Sequence, residues 1–472
     1  MIESLDALWG QARPAFNQER SWYRARTLAM SALVGLGRRT VTGMLTASAQ
    51  QGLDWSAAYR LFEKERFDAQ RLFAPALRTV LSRLGEQEPL VVLMDDTLIH
   101  KRGRKVYGAA WKRDPLGPPF CNNFIWAQRF LQLSAALPES QGASRCRAIP
   151  IDWHHCPLPK KPRRKAPDED WQQYRQLQQT MKVSAAGVQR IEALRTDLNA
   201  EGETRRQLIV ALDGTFTNKT VFRTLPAHTV AIGRLRKDAR LFAVPQEPDT
   251  PRRGRRRFYG EALQRPEQLR QDPALPWMEV EAWAAGKKQR FEIKTVAPVR
   301  WSGAGQKDVR VVAIRPLAYR PRKGARLLYR DPVYLVCSDP DLALQSLLQA
   351  FVWRWEIEIN FRDEKTVLGV GEAQVRTQAA VQAVTSFVVA AYAFLLLAAA
   401  QTGRIALPLP KWRRREPTQR DSTPRLLGAL RSQLWGKALA VNLTPVVYNK
   451  EGKTISDQIA NALPSAVCYA FR

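Results

Sequence analysis

The sequence predicts an α/β protein with a mixed sheet at its centre, a helical domain before the sheet and a β-rich insertion within it. Three observations carry this expectation. Apolar residues recur at three- and four-residue steps through residues 1–85, the period of helices with one buried face. Two short runs, Val91–Met94 and Leu208–Leu212, are apolar without alternation, as strands buried on both faces are, and each leads into acids, Asp95–Asp96 and Asp213. From residue 239 to 334, apolar and polar residues alternate between Arg-rich turns, the period of half-buried strands.

Residues 1–85 form the helical N-terminal domain, with the period clearest in RARTLAMSALVGLG and FAPALRTVLSRLG. The string between them suits two short helices around Gly52, a helix-turn-helix arrangement and hence a candidate for DNA contact. Residues 86–238 open the sheet domain with EPLVVLMDD, a strand expected to end at its acids. RKVYGAAWKRDP and FIWAQRFLQLSAAL follow as further strands, and a basic linker fills 157–170. One long amphipathic helix is expected from Trp171 to near Glu201. QLIVALD then gives a strand ending at Asp213, and HTVAIGRLR another after a short crossover.

Residues 239–334 read as an inserted β subdomain, and 335–400 return to the sheet domain through PVYLVCSD and the charged helix FVWRWEIEINFRDEK. The apolar stretch Ala383–Ala400 just reaches a spanning length, but it follows directly on a charged helix and carries Thr385 and Ser386. A buried core helix is therefore expected, and no membrane. Residues 401–472 form a basic C-terminal region with a last short helix near LRSQLWGKAL.

With 74 Lys plus Arg against 44 Asp plus Glu, the 472-residue chain carries a formal net charge of +30. Excess of this size speaks to partners, and the polyanion with the most closely spaced charges is nucleic acid. Basic clusters at Lys160–Lys165, Arg252–Arg257 and Lys411–Arg415 are candidates for following a DNA backbone. Five cysteines, with no C-x-x-C pair, argue against a disulfide framework. With no apolar signal segment at the N-terminus, this places the protein in a reducing compartment, the cytoplasm and its nucleoid. No phosphate-binding loop of the Walker type occurs, so no nucleotide cofactor is expected. Cys146, His154, His155 and Cys156 have atoms for zinc, but adjacent His-His-Cys suits a tetrahedral site poorly.

An acid at the carboxyl end of a sheet strand sits where α/β proteins bind ligands. Clustered carboxylates hold hard divalent cations such as magnesium or manganese, and two such ions stabilise the attacking and leaving oxygens of a phosphoryl displacement. Around Glu358, one helix is expected to set Phe351, Arg354 and Lys365 at seven- and four-residue offsets, within about 20° and 40° of one direction and so on a single stripe. Glu356, Asp363 and Glu364 point elsewhere on that helix. Because a strand alternates faces, only one of Asp95 and Asp96 can enter the same site as Asp213.

The spacing Phe351, Arg354, Glu358, Lys365 resembles the Y-x2-R-x3-E-x6-K motif of bacterial DDE transposases of the insertion-sequence-four superfamily. Asp95, in Asp95-Asp96-Thr97, resembles the first catalytic acid of that group and Asp213 the second, with Asp96 the alternative to Asp95. The string DDTLIHKRGRKVYG is similar to the insertion-sequence-seven-hundred-one branch, and it brings Lys101 and Arg104 forward as DNA contacts.

The resemblance implies a ribonuclease-H-like core in which Asp95, Asp213 and Glu358 bind two Mg2+ or Mn2+ ions, and cut-and-paste movement of double-stranded DNA bounded by terminal inverted repeats. Synapsis of two ends implies a homodimer on DNA. Arg354 and Lys365 would clamp phosphates. A Trp of the insertion would receive a flipped base in hairpin-forming members; Trp277, Trp283 and Trp301 are candidates, with Trp301, preceded by Arg300, the first choice. The chain departs from the motif at Phe351, where the family has Tyr. Two rival functions are a non-catalytic DNA-binding protein derived from a transposase and a structure-specific nuclease acting on RNA or hybrid duplexes.

Overall fold

The helical period of the N-terminal residues becomes α1 (Ile2–Gln11), α2 (Glu19–Val34), α3 (Val41–Ala47), α4 (Ser56–Glu63) and α5 (Ala74–Leu81). The computed structural model describes residues 1–115, 117–118, 120–121, 123–140, 142–245, 257–322, 324–403 and 420–436. The Lys411–Arg415 cluster and all of the Arg252–Arg257 cluster but Arg257 lie outside them, as does most of the C-terminal region. α3 and α4 are the two short helices expected around Gly52. Thr40 caps α3, its hydroxyl accepting the Gly43 N–H at 3.1 Å.

β1 (Leu90–His100), β2 (Ala110–Arg113), β3 (Phe124–Pro138) and β4 (Cys146–His155) form an antiparallel array in which β3 pairs with the other three. β4 was not anticipated, because Pro150 and the charged Arg147 and Asp152 break its apolar pattern. The structure absorbs the proline at a register shift between Leu133 and Ser134 of β3, where one missing ladder donor is tolerated. The single helix expected from Trp171 is two, α6 (Asp168–Thr180) and α7 (Val183–Ala200). They differ in burial: α7 packs eight residues inward, while α6 buries none.

β5 (Leu208–Leu212) is parallel to β1 on one side and, after the short α8 (Lys219–Arg223), to β6 (Thr229–Arg234) on the other. An antiparallel array followed by two strands parallel to its first is the order expected of a ribonuclease-H-like core. The 239–334 segment supplies β7 (Leu241–Phe242), β8 (Ala262–Leu263), α9 (Pro266–Gln271), β9 (Met278–Ala284), β10 (Lys287–Trp301), β11 (Asp308–Ile314), β12 (Ala318–Tyr319), β13 (Leu328–Tyr329) and the start of β14 (Val333–Cys337). The insertion extends the central sheet rather than standing apart, with strands running β2-β3-β1-β5-β6-β14-β11-β10-β7-β8, β4 paired to β3 and β9 to β10; among the described residues, β12 and β13 pair separately. Alternation alone cannot distinguish these cases, since both have period two.

α10 (Leu344–Trp353), α11 (Trp355–Thr366), α12 (Gln378–Thr402) and α13 (Thr423–Arg431) complete the described chain. α12 contains the apolar stretch of near-spanning length, and 94% of its most apolar window is buried inside the protein. β4 packs on it, as do α1, α2, α4 and α5. Trp9 meets Phe387 and Phe394 at 5.6 and 5.1 Å. Each large side chain buried there contributes roughly 1.5–3 kcal/mol, so the helical segment and the sheet share one hydrophobic core.

Candidate active site

Met94 and Leu212 are the last residues paired between the parallel strands β1 and β5, so the chain places Asp95 and Asp213 next to each other just beyond that pairing. β5 ends there. β1 does not: it runs on to His100 held by β3, which corrects the expected strand end at Asp95–Asp96. The acids lie mid-strand, at the point where their parallel neighbour stops and the mouth of the sheet opens.

Asp213 begins a tight turn. Its carbonyl accepts the N–H groups of Phe216 and Thr217 at 3.1 and 3.2 Å and the Thr217 hydroxyl at 3.0 Å. Thr217 lies so close to β6 that a Cβ on Gly233 would stand 2.1 Å from its hydroxyl, so only glycine admits the turn at this spot.

Alternation along β1 sends Asp95 and Thr97 to the α10–α11 face and Asp96 to the opposite one. Arg354 donates to Asp95 at 3.0 Å and stands 3.5 Å from Glu358, while Lys365 donates to the Thr97 hydroxyl at 2.8 Å. Asp96 pairs instead with Arg129 of β3 at 3.2 Å. The charged stripe is not one helix. Arg354 lies between α10 and α11, its N–H drawn back to the Phe351 carbonyl at 3.2 Å, and the structure still keeps its guanidinium 6.0 Å from the Phe351 ring.

Burial pushes the Asp95 carboxyl up to about 7; Arg354 opposes this and Asp213 adds to it. Burial also raises Asp96, against Arg129, and Glu358, against Arg354, and Asp213 raises both further. Asp95, Asp213 and Glu358 thus share one electrostatic field, which also reaches Asp96 on the other face of β1, and Arg354 bridges Asp95 and Glu358. An all-oxygen, charge-rich donor set of this kind fits a hard divalent cation. Among the described residues, no group of three or more His, Cys, Asp or Glu side chains stands arranged to hold a metal ion. The donor chemistry fits, and Arg354 supplies part of the positive charge the carboxylates require.

The other expected contacts divide. Arg104 is exposed. The Lys101 ammonium is committed to the loop after α11, donating to the Gly371 and Ala373 carbonyls at 2.8 and 3.4 Å, and burial lowers it to about 8. Arg300 is ion-paired with Asp308 at 2.7 Å. Trp301 is buried edge-on against Phe222 at 5.2 Å, a core residue rather than a face for a flipped base. Trp277 lies under Lys294 and Arg315, and Trp283 under Arg145. Cys146 and Cys156 stand at opposite ends of β4, and His155 packs on Phe130, with burial pressing it down to about 3.

Several residues of the site were not anticipated. Arg129 and the buried Lys112 act on Asp96, Thr97 receives Lys365, and Glu364 of α11 is buried beside Gln132 of β3. Only strand register brings them together, and no spacing in the sequence encodes that.

Burial pushes Glu364 from its ordinary 4.5 up to about 8. Both its oxygens, and Gln132 Oε1, lack a hydrogen-bond donor, which a protonated Glu364 would supply to the amide. A carboxyl raised in the folded state contributes stability that is full below about 4.5 and is lost as pH rises through about 8. Glu364→Gln should therefore be the more stable form at pH 8.5, by on the order of a few kcal/mol, with a flatter pH profile in thermal unfolding. Identical profiles for both proteins would refute this.

A family profile described as DDE superfamily endonuclease matches residues 13–303. The matched span holds Asp95, Asp96 and Asp213 and ends before Arg354 and Glu358. None of the curated proteins compared matches the chain.

Proposed function

The chain belongs to the DDE superfamily of endonucleases, enzymes that act on DNA and generally use divalent metals, and from that premise we propose that it is a transposase of the insertion-sequence-four superfamily, nearest its seven-hundred-one branch. It cuts double-stranded DNA at terminal inverted repeats and joins the freed ends to a target, working in the bacterial cytoplasm as a homodimer that holds two ends. The observation that carries the reading is Arg354, which ties Asp95, beside Asp213 at the end of the parallel β1–β5 pair, to Glu358 on a helix far along the chain.

Asp95, Asp213 and Glu358 would hold two Mg2+ or Mn2+ ions, which when bound supply an activated water and stabilise both oxygens of the displacement. Asp95 rather than Asp96 takes this role, because Asp95 faces α11 and Asp96 is engaged by Arg129. Arg354 exchanges its carboxylates for the scissile phosphate, which it can grip bidentately, and Lys365 adds a second cation on the same face. Each step breaks one P–O bond as it forms another: water attacks first, the freed 3′-hydroxyl then attacks the opposite strand, giving a hairpin, a second water opens the hairpin and restores the 3′-hydroxyl, and that hydroxyl attacks the target. Phe351 carries no hydroxyl for a phosphate; its ring lies beside Arg354.

The test uses purified protein and a supercoiled plasmid carrying the DNA that flanks the reading frame. Cuts at short inverted repeats, dependent on Mg2+ or Mn2+ and stopped by EDTA, are expected. Cleavage of an RNA–DNA hybrid in preference to the plasmid would favour a structure-specific nuclease. Tight binding with no cleavage under any metal would favour a non-catalytic DNA-binding protein.

A further inference from the structure

α6 is a helix without a core. Its 13 residues bury no side chain, yet isolated helices of this length are marginal in water and most helical stability in proteins comes from packing an apolar face. The helix stands over a cleft of about 700 Å3 on the Asp96 face of β1, where Arg129, the partner of Asp96, lines one side, and Thr215, two residues past Asp213, brings it to the edge of the candidate active site. Tyr174, Arg175, Gln178 and Lys182 line the α6 side. Among the described residues that line it, three are cations and none is a carboxylate, although acids crowd the neighbouring mouth. The linker leading into α6 adds exposed Lys160, Lys161, Arg163, Arg164 and Lys165.

We infer that a single strand of DNA, a few nucleotides long, runs through this cleft beside the scissile phosphate, with α6 as the strap across it. The inference rests on the reading of Asp95, Asp213 and Glu358 as the cutting site. The contents of the cleft suit one strand. A positive groove follows the backbone, an aromatic ring takes a base face, and glutamine amides offer both donors and acceptors to base edges. Five of the 13 residues of α6 are glutamine, which a merely solvated helix does not require. Bound DNA would supply the second surface that α6 lacks.

The experiment uses the full-length protein in EDTA with fluorescein-labelled oligothymidylate, so that neither metal nor turnover is needed. Hydrogen exchange should show the amides of 168–182 exchanging fast in the free protein and becoming protected when the oligonucleotide binds. Arg175→Ser with Lys182→Ser should weaken binding about tenfold and lower the slope of log affinity against log salt by about 1.4, at roughly 0.7 per phosphate contact. Tyr174→Ala should weaken binding without changing that slope. Equal exchange of 168–182 with and without oligonucleotide would overturn the inference. So would an equal loss from Lys287→Ser with Lys288→Ser, two exposed cations on the β9–β10 hairpin, since the effect would then be bulk charge. Absence of plasmid cleavage by the wild-type protein would sink the cutting-site reading and leave these binding results standing; unchanged binding with intact cleavage would sink the strand track alone.

Discussion

Asp213→Asn is expected to reduce metal-dependent DNA cleavage by roughly a thousandfold or more while leaving affinity for DNA nearly unchanged. The residue stands beside Asp95 and acts electrostatically on Asp95, Asp96 and Glu358 together, so removing its charge withdraws the one carboxylate common to the whole cluster. Affinity survives because it comes from cations spread over a chain of net charge +30, not from the acids. Asp95→Asn and Glu358→Gln should match the loss. Groups acting as one unit are non-additive, so the double variant should be no worse than either single one. Asp96→Asn is the contrasting case: it faces Arg129, and the expected loss is smaller. Cleavage measured on labelled plasmid alongside binding by anisotropy decides the matter, and wild-type cleavage by Asp213→Asn would remove the assignment.

The largest expected loss of stability is at a buried ion pair behind the same site. Arg190 of α7 donates twice to Asp152 of β4, at 2.6 and 3.1 Å, and both side chains are about nine-tenths buried. Asp152→Ala leaves a guanidinium in the interior without its partner, which costs about 3–5 kcal/mol. Replacing both at once, as Asp152→Leu with Arg190→Met, should recover most of that, since apolar pairs of similar volume substitute well for buried ions. α7 packs Gly187 against Met94 and Phe216, which flank Asp95 and Asp213, so the single variant should lose activity at temperatures where it remains folded. Urea unfolding of the single and double variants is the measurement. A single variant as stable as wild type would show that α7 is held by other contacts.

How far the sequence could be read follows from the range of the forces involved. The apolar runs before Asp95 and Asp213 are local, and both became the central parallel strands. The offsets joining Arg354, Glu358 and Lys365 are local too, and they survived even though the backbone breaks at Arg354. The errors share a cause. β4 is hidden because Pro150, at a bulge in β4 itself, interrupts its alternation; the burial of Trp301, the first choice for a flipped base, escapes the pattern because strand alternation does not say which face meets Phe222; and no pattern shows Lys101, an expected DNA contact, reaching the loop after α11.

By itself, then, the sequence determined the helical N-terminal segment and the two central parallel strands, which acids follow their apolar runs and how strongly the chain favours a polyanion, because periodicity, burial and charge are properties of neighbouring residues. Tertiary structure alone decided that Asp95 and not Asp96 faces Glu358, that Arg354 bridges the two, that the insertion continues the sheet and that α6 is left over an open cleft. These depend on register and packing between segments far apart in the chain, where a shift of one residue turns every side chain to the other face.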